Sequence, residues 1–117
     1  MSWLSQRSES FGYAFRGVVT LIKEQPNAQI HALATIGVVA LAFYCEISPS
    51  EWRSLILMVS LVWLAEGLNT SLEYLADAAV PEQHPLIEKA KDVAAAAVLI
   101  TAFFAVVMAA LIFLPLF

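Results

Sequence analysis

The sequence predicts an all-α membrane protein, with an N-terminal amphipathic surface helix followed by three transmembrane helices. Three observations carry this. The 117-residue chain is 61% hydrophobic and only 14% charged, whereas soluble domains carry roughly 25% charged residues. A soluble domain this short could not bury so much apolar surface. Three apolar runs follow one another, separated by short polar breaks. Ahead of them, residues 8–24 place their apolar side chains at helical rather than continuous spacing.

The elements follow in order within a single domain, residues 1–117. The surface helix is predicted over about residues 8–25, where Phe11, Phe15, Val18, Val19 and Ile22 repeat at helical spacing among the basic Arg16 and Lys23. Such a helix lies in the membrane interface, packs on the bundle, or does both. It is not a signal peptide: Arg7, Glu9, Arg16, Lys23 and Glu24 leave no long apolar core. The first span is predicted over 29–47, around the apolar run 32–45, which is just long enough to cross. The second covers 52–79: residues 54–65 are apolar, and the helix continues through a polar stretch. Its start is marked by Ser48-Pro49-Ser50-Glu51, a turn with an N-cap and a first-turn acid. Pro81 to Pro85 forms the second break. The third span, 89–116, is the strongest, because residues 93–117 are 25 positions without a charge.

Five of the six basic residues flank one side of the spans. Arg7, Arg16 and Lys23 precede the first span, Lys89 and Lys91 precede the third, and only Arg53 lies between spans one and two. By the positive-inside rule that side faces the cytoplasm, with the N-terminus inside and the C-terminus outside. The net charge of −4 and the lack of a basic block argue against nucleic acid as a partner. The single Cys45 has no intrachain disulfide partner and lies in an apolar run, where a buried thiol acts as a small hydrophobe.

The chemistry concentrates near the end of the second span. Glu66, Asn69, Thr70, Glu73 and Asp77 are spaced i, i+3, i+4, i+7 and i+11, one stripe of an α-helix, with Leu64, Leu68, Leu72 and Leu75 on the other positions. Carboxylates in or near hydrocarbon are costly and mark functional sites. Glu66 follows twelve uncharged residues; it is the deepest acid and a candidate proton acceptor. Neighbouring carboxylates repel unless a cation joins them, and Mg²⁺ takes such oxygen ligands together with phosphate. Lys91-Asp92 adds the complement: the lysine can neutralise phosphate, and the aspartate can hold a metal ion, bond a ribose or orient the lysine. Ala94 to Ala97 are small residues that let another helix approach.

Plainer explanations exist for some of these residues. Asn69 and Thr70 serve equally as interhelical hydrogen-bonding groups, Lys91 and Lys89 as boundary anchors, Asp77 as an interfacial acid, His31 as a first-span boundary residue and His84 as a solvated loop residue or a positioning group. Glu66 and Glu73 together resist a purely structural explanation. Neither GxxxxGK[ST] nor GxGxxG is present. Residue spacing thus leads to a carboxylate-rich site at the inner membrane surface; an ion- or proton-coupled transporter subunit and a non-catalytic scaffold remain alternatives. Three helices cannot by themselves shield such a stripe from lipid, so self-association is expected.

Glu66-Gly67-Leu68-Asn69-Thr70-Ser71-Leu72-Glu73, with Asp77 beyond it, resembles the signature E-x-x-N-[TS]-[AS]-[IL]-E-x-x-x-D of the small prokaryotic integral membrane diacylglycerol and undecaprenol kinases. Ala90-Lys91-Asp92-Val93-Ala94-Ala95-Ala96-Ala97-Val98 resembles their second signature, and Gly12-Tyr13-Ala14-Phe15-Arg16-Gly17 their N-terminal helix. The resemblance implies ATP- and Mg²⁺-dependent phosphorylation of a lipid hydroxyl by a homotrimer with shared sites, in the bacterial inner membrane. It implies Glu66 as general base, Glu73 as a Mg²⁺ ligand, and Arg16, Asn69, Asp77, Lys91 and Asp92 as nucleotide-binding residues. The family's further metal-binding Glu falls here on Gln25; either the neighbouring Glu24 takes that role or the metal shell is thinner. The pattern Asn27-x-x-Ile30-His31 is closer to the undecaprenol branch, with diacylglycerol the next candidate.

Overall fold

The computed structural model describes residues 2–117. They form four α-helices and a final 3-10 turn: α1 (Trp3–Glu24), α2 (Pro26–Tyr44), α3 (Pro49–Ala79), α4 (Pro85–Phe113) and Leu114–Leu116. Among the described residues there is no strand. Helix α1 begins at Trp3, ahead of the expected position 8, because Ser2 caps it by accepting from the Ser5 N–H. Helix α4 begins at Pro85, where the sequence reading started the span at 89.

Proline and its neighbours set every break. Gln25 is extended (φ −112°, ψ 110°) and shared between α1 and α2, because a residue before proline is driven out of the helical region. Gln29 turns back to donate to the Ile22 carbonyl at 3.1 Å, satisfying the end of α1. Between α2 and α3, Glu46 takes a left-handed conformation (φ 51°). The Ile47 N–H then reaches the Ala42 carbonyl and the Glu46 N–H that of Phe43, the Schellman pattern. Ser48 and Glu51 follow with a reciprocal capping box. His84 caps α4, its Nδ1 accepting from the Leu86 N–H at 3.1 Å.

Helices α2, α3 and α4 are each long and apolar enough to cross a membrane. Helix α3 has 31 residues, about 46 Å at 1.5 Å per residue, against a hydrocarbon core about 30 Å thick. Its excess length supplies a polar platform beyond the apolar segment. The radius of gyration is 17.4 Å, above the ~13 Å of a compact soluble chain of this length. The helices form an open sheaf, not a globule.

Packing is uneven. Helices α3 and α4 form the principal pair, and α1 buries no side chain. The largest apolar cluster, Ala42, Ile47, Leu55, Ile112 and Phe113, sits where the α2–α3 turn meets the C-terminal end of α4, with Cys45 packed half-buried against it. The opposite end carries the polar stripe, and there the arrangement is inside out. Glu66, Asn69 and Thr70 are buried, while Leu64, Leu68 and Leu75 are exposed, as suits a bundle whose solvent is lipid. On α4, Ala94 turns partly inward, and Ala95 to Ala97 remain exposed.

Candidate functional site

The site is built around the C-terminal half of α3. Glu66 is 1% exposed, the most completely buried large side chain of the protein. Its Oε1 faces the Thr70 hydroxyl one turn on, at 3.4 Å. Its Oε2 lies 3.5 Å from His31 Nε2 on α2 and has no hydrogen-bond partner. A buried carboxylate oxygen without a partner is costly to maintain, and such groups cluster where chemistry is done.

The stripe continues outward. Asn69 Nδ2 points at Glu73 Oε1, at 3.5 Å, while the buried Asn69 Oδ1 has no partner. Asp77 receives a hydrogen bond from Lys91 Nζ at 2.5 Å, joining the end of α3 to the start of α4. Both groups are substantially solvent-accessible, so the pair can open to admit another anion.

The third contribution comes from the α1–α2 corner. Tyr74 donates its hydroxyl hydrogen to Glu24 Oε1 at 2.8 Å and accepts from Gln25 Nε2 at 3.0 Å. The same tyrosine is close to Glu73. One phenol on α3, next in sequence to Glu73, therefore gathers both Glu24 and Gln25. Between α1 and α3 runs a cleft of about 460 Å³, bordered by Gly17, Gly67, Thr70 and Tyr74. A Cβ added at Gly17 or Gly67 would meet nothing within 4 Å.

Of the residues singled out from sequence, Glu66, Asn69, Glu73, Asp77, Lys91 and Glu24 converge on one end of the bundle. Arg16 does not join them within the chain; its guanidinium lies over the Tyr13 ring on α1, 4.7 Å from the centroid. Asp92 is exposed near the start of α4. Two residues join the candidate site only through the tertiary structure: His31, read from sequence as a boundary residue and part of the Asn27-x-x-Ile30-His31 pattern, stands against Glu66, and Tyr74 stands against Glu24 and Gln25. The spacing of His31 from Pro26 gave no sign of its partner, because the contact depends on how α2 meets α3. Tyr74, directly after Glu73, was the more visible of the two.

The donor set suits a hard cation that shares phosphate. Among the described residues no three acidic, His or Cys side chains form a closed metal cage. Mg²⁺ does not need one: one or two carboxylates plus phosphate and water oxygens are usual. The unpartnered Asn69 Oδ1, on the residue whose amide nitrogen faces Glu73, is an oxygen donor of the right kind.

Comparison with known proteins agrees. The family model for prokaryotic diacylglycerol kinase matches residues 12–113. The undecaprenol kinase of Bacillus subtilis is 36% identical over 112 residues, 96% of this chain and 91% of that protein. A diacylglycerol kinase of Synechocystis is 36% identical over 107 residues, 91% of this chain but 61% of that longer protein. The diacylglycerol kinase of Escherichia coli is 30% identical over 96 residues, 82% of this chain and 79% of that protein. With a family match that takes in the second half of α1, all three long apolar helices and both polar motifs, the chain belongs to the prokaryotic diacylglycerol kinase family of membrane lipid kinases.

Proposed function

We propose that this protein transfers the γ-phosphoryl group of ATP to the hydroxyl of a membrane lipid alcohol at the cytoplasmic face of the bacterial inner membrane, with undecaprenol the first candidate and diacylglycerol the second. The observation that carries the reading is the buried Glu66 with an unpartnered Oε2, standing on the same stripe as Asn69 and Glu73 and followed by the Asp77–Lys91 pair.

In this mechanism the lipid hydroxyl gives its proton to Glu66 Oε2 as its oxygen bonds to the γ-phosphorus. The bond from that phosphorus to the β,γ-bridging oxygen breaks, and ADP leaves. Most of the rate comes from positioning and charge stabilisation, and the base supplies its usual 10²–10⁴-fold, an order-of-magnitude figure. Lys91 exchanges Asp77 for phosphate oxygens when nucleotide binds. Asn69, Asp77 and Asp92 orient the nucleotide, and Arg16 reaches it from α1. Glu73, Glu24 and Asn69 Oδ1 would hold Mg²⁺, which when bound neutralises charge on the phosphates.

The protein acts as a homotrimer with sites shared between subunits. Two features support this: α1 buries no side chain within its own chain, and Arg16 is paired with Tyr13 on its own helix and not with an acid of the stripe. The exposed Ala95 to Ala97 offer a close-packing face to a neighbouring helix.

The deciding experiment offers undecaprenol and diacylglycerol separately to the purified protein in mixed micelles with Mg²⁺ and radiolabelled ATP. Label should pass to one lipid and require Glu66. No transfer to either lipid from a folded oligomer overturns the reading.

A further inference from the structure

If Glu66 is the base, something must hold its carboxylate with one oxygen towards the substrate. Thr70 touches only Oε1, at 3.4 Å. The other oxygen is faced by His31, and three features make that contact more than chance packing. First, the imidazole is fixed: its ring meets the edge of Trp63 (centroids 6.3 Å, 68°). The indole N–H of Trp63 donates to Thr35 Oγ1 at 3.0 Å, and Thr35 in turn donates to the His31 carbonyl at 2.6 Å. Helices α2 and α3 are thus locked together around the ring. Second, Oε2 has no other partner, and at 3.5 Å the Nε2–Oε2 pair stops just short of a hydrogen bond, a gap that catalytic pairs close when substrate is bound. Third, His31 has another side. It lines a groove of about 310 Å³ between α2, α3 and α4 whose walls are otherwise apolar apart from Thr35. His31 therefore stands between a hydrocarbon-lined groove and the buried carboxylate.

We propose that His31 is a positioning residue for Glu66: its Nε2–H donates to one lone pair of Oε2 and so orients the carboxylate, leaving the second lone pair of that oxygen to accept the lipid hydroxyl proton. The role rests on the lipid-kinase reading of the site. It needs a donor at the reach of Nε2, and the transferred proton stays on Glu66.

The test compares His31→Gln, His31→Asn and His31→Leu with wild type in the same micellar assay, alone and in the Glu66→Gln background. The Gln amide nitrogen reaches the place of Nε2; the Asn amide falls short, and Leu donates nothing. Leu and Asn should each lower kcat about 10–100-fold, with KM for ATP within about twofold, and Gln should hold kcat within about threefold of wild type. In the Glu66→Gln background, His31→Leu should lower kcat no further, since the two residues act as one unit. A structural role would make Gln and Asn alike, would follow melting temperature, or would leave the full His31→Leu loss in the double variant; any of these overturns the assignment, as does wild-type kcat in His31→Leu. If the wild type phosphorylates no lipid, the kinase reading falls and this proposal with it. If the wild type is active and Glu66→Gln is not, only the role of His31 is under test.

Discussion

The two ends of the helical sheaf are built on opposite rules. At the turn end, Ala42, Ile47, Leu55, Ile112 and Phe113 close on one another, and the α2–α3 turn satisfies its backbone through a Schellman pattern and a capping box. At the other end the end of α3, the start of α4 and the α1–α2 corner bring together Glu24, Glu66, Asn69, Glu73, Asp77 and Lys91, and two buried oxygens are left without partners. The closed end has its polar atoms satisfied and contributes stability. The open end retains unsatisfied atoms, a state that persists only where the surrounding packing holds it. On the proposed reading, stability and chemistry are separated along α3, one at each end of the helix.

That separation can be broken experimentally. The largest effect should come from Glu66→Gln, nearly isosteric, which removes the proton acceptor: kcat should fall about 10²–10⁴-fold while thermal unfolding in detergent stays near wild type. A large loss of melting temperature would mean that the open end also carries stability. Lys91→Ala should come next, raising KM for ATP about tenfold through loss of a charge-assisted phosphate contact. If KM is unchanged and only stability falls, the Asp77–Lys91 pair is a strut between α3 and α4 and not part of the site. The converse substitution is Leu55→Ala, at the closed end. It should destabilise by about 2 kcal/mol through the cavity it leaves, read by denaturant titration, with kcat per folded molecule within about twofold of wild type. A strong fall in kcat would show that the two ends are coupled. The smallest effect belongs to Glu46→Gly in the turn. Glycine tolerates the left-handed backbone that a side chain resists, and the relief exceeds glycine's own entropic penalty by about 0.5 kcal/mol. A small rise in unfolding midpoint with unaltered activity is expected.

Much was determined by the sequence alone. The uncharged run 93–117 favours a helix long enough to span, since lipid cannot hydrogen-bond an irregular backbone, and α4 carries it as far as Phe113. Proline at 26, 49, 81 and 85 sets the breaks locally. The stripe from Glu66 to Asp77 is a property of helical periodicity within one element, and so is the presence of Lys91 close to the start of the next. These follow from interactions a few residues apart, which is why the fold class and most of the site could be read from the chain. What only the tertiary structure decided are the contacts between elements far apart in sequence. His31 meets Glu66, Trp63 meets Thr35, and Tyr74 joins Glu24 and Gln25 across 50 residues. No pattern within a helix specifies which face its neighbour meets or at what height; that depends on the packing angle and axial offset of α1, α2 and α3. Those quantities are set by the sum of many weak side-chain contacts, and they decide which group faces each oxygen of Glu66.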